Sequence, residues 1–227
     1  MTETKIAITP QHTLADLAAT FAGASRVFYR HGLDFCCHGR VSLDEACRKR
    51  KLDANALVRE IESEVLVAGD FERWDRRPLA DVVAHVLHDF HDSHRAEVPR
   101  LLDMARKVER VHAEKASCPR GLAAHLARMA EDLESHMQKE EGILFPLILA
   151  GRGRLAADPI RVMEEEHDDH GKNLARLREL THDYKPPADA CGTWTALYLG
   201  LAELERLLME HIHTENNILF PRALRSA

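Results

Sequence analysis

The chain writes one eleven-residue phrase twice: HMQKEEGILFP begins at residue 136 and HIHTENNILFP at residue 211. Both read His-x-x-x-Glu-x-x-Ile-Leu-Phe-Pro. A His and a Glu four apart lie one turn apart on the same face of a helix. Each pair extends an apolar stripe: Leu126, Met129, Leu133, His136 and Glu140 in the first copy; Leu197, Leu201, Leu204, Leu208, His211 and Glu215 in the second. Steps of three and four keep every member facing one core. The His–Glu pairs therefore stand where core leucines would otherwise be. The closing proline predicts the end of each helix, and the two Ile-Leu-Phe-Pro segments read as apolar caps over the end of the structure.

The helices before these two echo each other as well. FHDSH places His91 and His94, and EHDDH places His167 and His170, in nearly the register of the two His–Glu pairs. The chain thus carries two helix hairpins of one design. Four long helical patterns result, at about 78–113, 119–144, 158–184 and 191–217. Pro78 and Pro119 suit first-turn positions. Gly151 to Gly153 and the KPPADACG stretch separate later helices, and Pro99 predicts a kink or an early end in the first. Four such helices with short connections predict an all-α, up-down four-helix bundle over residues 78–227. Residues 1–70 read as a small helical domain. Its first helix is capped by Thr13 and stopped by Gly32, its second opens on Ser42 and Glu45, and its third runs from Asp53 to near Gly69. Residues 71–77 read as a linker.

Composition narrows the partners. A net charge of −6 with scattered basic residues gives no nucleic-acid-binding stripe. No run approaches the ~18 apolar residues of a membrane span. The polar start MTETKIAITPQHTL lacks a signal-peptide core. Five cysteines, an odd number without spaced pairs, fit a reducing compartment, so a cytoplasmic location is expected.

Fifteen histidines are more than surface and core roles call for. Four converging helices would bring His91, His136, His167, His211, Glu140 and Glu215 to one cavity. Imidazoles and carboxylates without thiolate are a hard-to-borderline ligand set. Inward-facing Glu and His in a bundle are how carboxylate-bridged two-metal centres are built. If each Glu bridges, each metal receives two nitrogens and two carboxylate oxygens, and a solvent oxygen leaves one octahedral position open. Iron suits this best, then manganese; zinc also accepts these ligands. His94 and His170, three residues beyond the first His of each pair, are expected to support the site from behind. Glu166 and Asp132 flank it as candidate outer carboxylates, although EEEHDDH also reads simply as an exposed helix face. His88 could exchange roles with His91. His85, His112, His125, His182 and His213 are expected to be solvated.

Cys36 and Cys37 form the other feature, in the loop DFCCHGRV. Vicinal cysteines rarely make a comfortable disulfide. They read either as incidental thiols or as an exposed, polarised pair for redox exchange or iron transfer, with His38 and Arg40 favouring thiolate.

Taken together, LDFCCHGRVSLDEAC, HDSHRAEVPRLLDMARKVERVHAEK, SHMQKEEGILFP, VMEEEHDDHG and HIHTENNILFPRAL resemble the di-iron "repair of iron centers" family of bacteria, over essentially the whole chain. The resemblance implies a Cys-Cys domain followed by a hemerythrin-like bundle. It implies two non-heme irons, oxo- or carboxylate-bridged, on the six residues reached above. It implies repair of iron-sulfur clusters damaged by nitric oxide or peroxide in the cytoplasm, with damaged iron-sulfur proteins as partners. Repair by supplying iron is the first expectation. The alternatives are a nitric oxide reductase forming N₂O and a sensor or carrier binding O₂ or NO, so whether the chain is an enzyme stays open. His38 and His170 depart from the family pattern, where Gly and a small residue are expected; His170 would add an imidazole above the irons.

Overall fold

The computed structural model describes residues 7–67 and 71–225. The predicted stop at Gly69 lies outside them. Among the described residues every element is helical, and the sole β-type pairing is an isolated bridge between Thr13 and Ser42. No helix there is long and apolar enough to cross a membrane.

The small domain consists of α1 (Leu14–Thr20), α2 (Ala24–Arg30), α3 (Leu43–Arg50) and α4 (Ala54–Val67). The Thr13 and Ser42 hydroxyls cap α1 and α3, accepting from the amides of Asp16 and Glu45 at 3.0 and 3.2 Å. The predicted first helix is two, because the chain turns at Gly23 with φ +79°. A Cβ there would stand 2.7 Å from that of Glu64, so only glycine allows both the turn and the contact with α4. Leu14, Leu17, Val27, Phe28, Leu43 and Ile61 fill the core.

The bundle follows. Its first leg is α5 (Leu79–His85), a π-helical turn (Val86–His91) and α6 (Asp92–Val111). The second is α7 (Leu122–Lys139), a π turn (Glu140–Leu144) and α8 (Phe145–Leu149). The third is the unbroken α9 (Gly153–Thr181). The fourth is α10 (Gly192–His213), a π turn (Thr214–Leu219) and α11 (Phe220–Arg225). α6 packs on α7 and α10, and α9 packs on the same two, so α6 and α9 stand diagonally. Gly200 lets α10 approach α6 closely: a Cβ there would meet Leu101 Cδ2 at 2.5 Å.

Pro99 does not end its helix; α6 continues to Val111. Nor do Pro146 and Pro221 terminate theirs. Each follows a π turn in which the hydrogen bond already skips a residue, as where the Phe145 and Phe220 amides reach the Glu140 and Glu215 carbonyls. In that shifted register a missing amide no longer breaks the ladder. Two apolar clusters divide the bundle. One contains Leu101, Leu126, Leu133, Trp194 and Leu201, and the other Val86, Phe90, Phe145, Ile160 and Phe220. The Leu-Phe pairs of both repeats are buried, although Ile143 is 55% exposed and seals nothing.

Candidate metal centre

Between the two apolar clusters lies a polar layer. His91 ends the first π turn, Glu140 opens the second, and Glu215 is second in the third. A π turn widens the helix by one residue and re-aims what it carries, which is why such turns recur at functional sites. His136, His167 and His211 come from α7, α9 and α10. All six side chains are buried.

They sort into two quartets that share both glutamates: His91, His211, Glu140 and Glu215, and His136, His167, Glu140 and Glu215. In each quartet the donor atoms lie within 4.8 Å of one another. Glu140 sends Oε2 to His91 Nε2 at 3.3 Å and Oε1 to His136 Nε2 at 3.4 Å, one oxygen to each quartet. Glu215 Oε2 stands 3.2 Å from His167 Nε2 and 3.3 Å from His211 Nε2. Across the pairs, His91 and His211 approach at 3.3 Å through Nε2, and His136 and His167 at 3.1 Å.

None of the four glutamate oxygens has a hydrogen-bond partner. Buried carboxylates left this way cost several kcal/mol unless a cation joins them, so the donor set fits a metal. Proton affinities agree. Burial opposes charge on His136, but Glu140, Glu215 and Glu166 together outweigh it and lift the imidazole to about 9. His91 is raised in the same way, while burial drives His211 well down. Burial and Glu215 oppose charge on Glu140, yet His136 and His91 hold it below the usual carboxylate range.

The outward nitrogens are held as well. Nδ1 of His91 donates to Glu141 at 2.7 Å, that of His136 to Glu166 at 2.9 Å, and that of His167 to Asn216 Oδ1 at 2.8 Å. This fixes the tautomer whose Nε2 lone pair points inward. Arg95 and Lys139 in turn hold Glu141 and Glu166. His211 Nδ1 alone has no partner. Phe90 stacks on that ring at 5.2 Å, while Phe145 stacks on His91 and Phe220 on His167.

Of the outer residues expected from sequence, Glu166 takes its place and Asp132 does not; it is solvent-exposed. His94 and His170 are buried in the next layer, with ring centroids 5.3 Å from His211 and 5.0 Å from His136. Neither ring bonds a ligand candidate, and both His94 nitrogens are unpartnered. Glu141 and Asn216 escaped the sequence reading. Both directly follow the shared glutamate of their repeat, and that matching position was the available signal.

Three histidines expected in solvent are not there. His125 is buried against the Asn173 carbonyl at 2.9 Å. His213 is buried against Phe35. His85 stacks on Trp74 at 3.9 Å. Each lies under an element from elsewhere in the chain, which helical spacing alone does not reveal. His88 is exposed and does not replace His91.

The cysteine pair is not the exposed one expected. Cys36 is buried, and its hydrogen bond with Cys37 together with burial pushes its thiol well up. His38 is spent on Asp34 at 2.6 Å, and Arg40 reaches Glu164 at 3.6 Å, so neither favours thiolate at Cys36. Asp34, Cys36 and Cys37 form a third cluster of close donor atoms. The loop touches the metal layer: Cys37 Sγ donates to the His167 carbonyl at 3.5 Å, and Asn216 Nδ2 donates to the Cys36 carbonyl at 3.3 Å.

Comparison with known proteins gives the family. The Hemerythrin HHE cation binding domain matches residues 82–223, and the ScdA_N domain of unknown function matches residues 10–65. The chain is 49% identical to the iron-sulfur cluster repair protein YtfE of Musicola paradisiaca, over 95% of this chain and 97% of that one. It is 48% identical to the protein of that name in Pectobacterium carotovorum subsp. carotovorum and 47% to that in Yersinia pseudotuberculosis, each over 94% of this chain and 96% of the relative. A cation-binding bundle behind a Cys-Cys domain, matched at this identity along nearly its whole length, places the chain in the family of the iron-sulfur cluster repair proteins.

Proposed function

We propose that the chain repairs damaged iron-sulfur clusters by supplying iron from a two-iron centre held by His91, His136, Glu140, His167, His211 and Glu215. The reading rests on one observation: two histidine pairs share both glutamates, whose oxygens are otherwise unpartnered. His91 and His211 would hold one iron and His136 and His167 the other, with Glu140 and Glu215 available to both. The irons supply redox chemistry and positions for small ligands such as O₂ or NO. The protein's part is to orient the imidazoles through Glu141, Glu166 and Asn216, and to exclude water with Phe90, Phe145 and Phe220. Nitrogen and oxygen donors hold iron less firmly than the sulfur ligands of a cluster, so transfer to a damaged iron-sulfur protein runs in the direction ligand softness favours. Cys36 and Cys37 stand beside the centre without ligating it, and their loop, joined to His167 and Asn216, is the part of the small domain placed to assist transfer.

Anaerobic purification with iron quantification and Mössbauer spectroscopy tests this. Two coupled irons per chain are expected, and mixing with an iron-depleted cluster enzyme should restore its activity while the chain loses iron. One iron per chain at full loading, or equal restoration by iron-free protein, would overturn it. Cys36→Ser/Cys37→Ser should keep both irons and slow repair.

A further inference from the structure

The hairpin repeat is close to symmetric in ligands and unequal in what lies behind them. His136 leans on Glu166, the residue before His167. The matching residue for His211 is the one before His91, and it is Phe90. An aromatic face stacks there in place of an acceptor, and His211 Nδ1 is left buried and unpartnered. The His136/His167 quartet therefore has both imidazoles supported, by Glu166 and Asn216, whereas the His91/His211 quartet has one, by Glu141. An acceptor behind a ligating imidazole fixes its orientation and raises its basicity, and its loss weakens metal binding about 10–100-fold.

A second asymmetry falls on the same quartet. A cavity of about 200 Å³ between α6 and α7 is lined by His94, Arg95, Val98, Leu133, Glu134 and Met137, with Arg95 bonded to Glu134 across its wall. His94 lies between this cavity and His211, with both ring nitrogens buried and unpartnered. The small domain instead meets the other quartet, where Asn216 joins the Cys36 carbonyl to His167.

Resting on the two-iron reading, we propose that the two positions are unequal: the iron at His91/His211 is the one given up, by way of His94 and the α6–α7 cavity, while the iron at His136/His167 stays. His94 offers an unpartnered ring nitrogen at the first step out, and Glu134, paired with Arg95, a carboxylate further along.

Anaerobic titration of the iron-free full chain with Fe²⁺ against a competing chelator tests this. Two dissociation constants at least about tenfold apart are expected, given the effect of one missing acceptor. Glu166→Ala should weaken the tighter constant and bring the two together. Phe90→Gln, which offers His211 an acceptor, should tighten the weaker one. His94→Leu should leave both constants unchanged and slow release of the first iron to chelator severalfold. Two equal constants in the unmodified chain, or Glu166→Ala weakening the looser position, would overturn the proposal. So would fast release of the first iron from His94→Leu with its constants intact. A total of two irons with equal constants sinks the asymmetry alone; a total of one sinks the two-iron reading itself.

Discussion

At the scale of residues, the shared glutamates and the unshared histidines have different weight. Glu140 and Glu215 each face both quartets, whereas each histidine faces one. Glu140→Ala should therefore lower bound iron to near zero. His211→Ala should leave about one iron per chain, on the intact His136/His167 side; iron-to-protein ratios after gel filtration check both. The ligand candidates were legible in the sequence because four of them continue apolar stripes that only a buried role explains. Their supports were not. Glu141 reaches His91 on another helix, and Glu166 reaches His136 across the bundle. The exposure of Asp132 and the half-burial of Glu166 depend on which way α7 and α9 face each other, and spacing within one helix does not carry that.

The elements that escaped the sequence reading are the ones that aim the site. Three π turns replace regular helix at His91, Glu140 and Glu215, and a stripe counted in threes and fours passes through them unnoticed. The proline after two of them was the visible trace, read as an end and in fact a continuation. The small domain docks on the third turn. Asn217 Nδ2 donates to the Phe35 and Cys36 carbonyls at 3.2 Å and to His213 Nδ1 at 3.0 Å. Asn216→Ala removes the support of His167 and should speed loss of the firmly held iron by roughly 10–100-fold. Asn217→Ala breaks docking bonds without touching His167 and should leave that rate nearly unchanged; stopped-flow chelation separates the two. Docking also responds to acid. Burial lowers His213 to about 4, so it stays neutral in the fold while the unfolded chain takes a proton below about 6.5. Its share of stability is intact above pH 6.5 and falls as pH drops toward 4, by about 2 kcal/mol at pH 5. Urea titrations at pH 7 and 5 should show that share gone in His213→Leu.

Across the whole molecule, the polar layer divides what would otherwise be one continuous apolar core. The Leu101 cluster and the Phe90 cluster are separate, and the six ligand candidates, with His94 and His170 beside them, form the buried polar layer. An ordinary bundle would place leucines there, as the stripes leading into His136 and His211 do. The iron-free fold must therefore carry two buried carboxylates that have only imidazoles beside them at 3.2–3.4 Å, with no hydrogen bond of good geometry. A metal that binds the folded chain alone stabilises it by about 2.7 kcal/mol at a hundredfold excess over its dissociation constant. For a chain of this length that is on the order of 5–10 °C in Tm. Calorimetry should find the iron-loaded form higher by at least this much, with the difference erased by a strong chelator. The sharper comparison uses the iron-free form. Glu140→Leu/Glu215→Leu removes the metal site and both buried carboxylates, and with them the acids that favour charge on His136 and His91. Replacing buried ionic groups by apolar ones of similar volume is neutral or stabilising by about 1–4 kcal/mol once the imidazoles left behind are neutral. The double variant should melt at or above iron-free wild type and show no rise with iron. If it melts well below, the two carboxylates help hold the bundle together by themselves, and the layer was not kept for a metal at stability's expense.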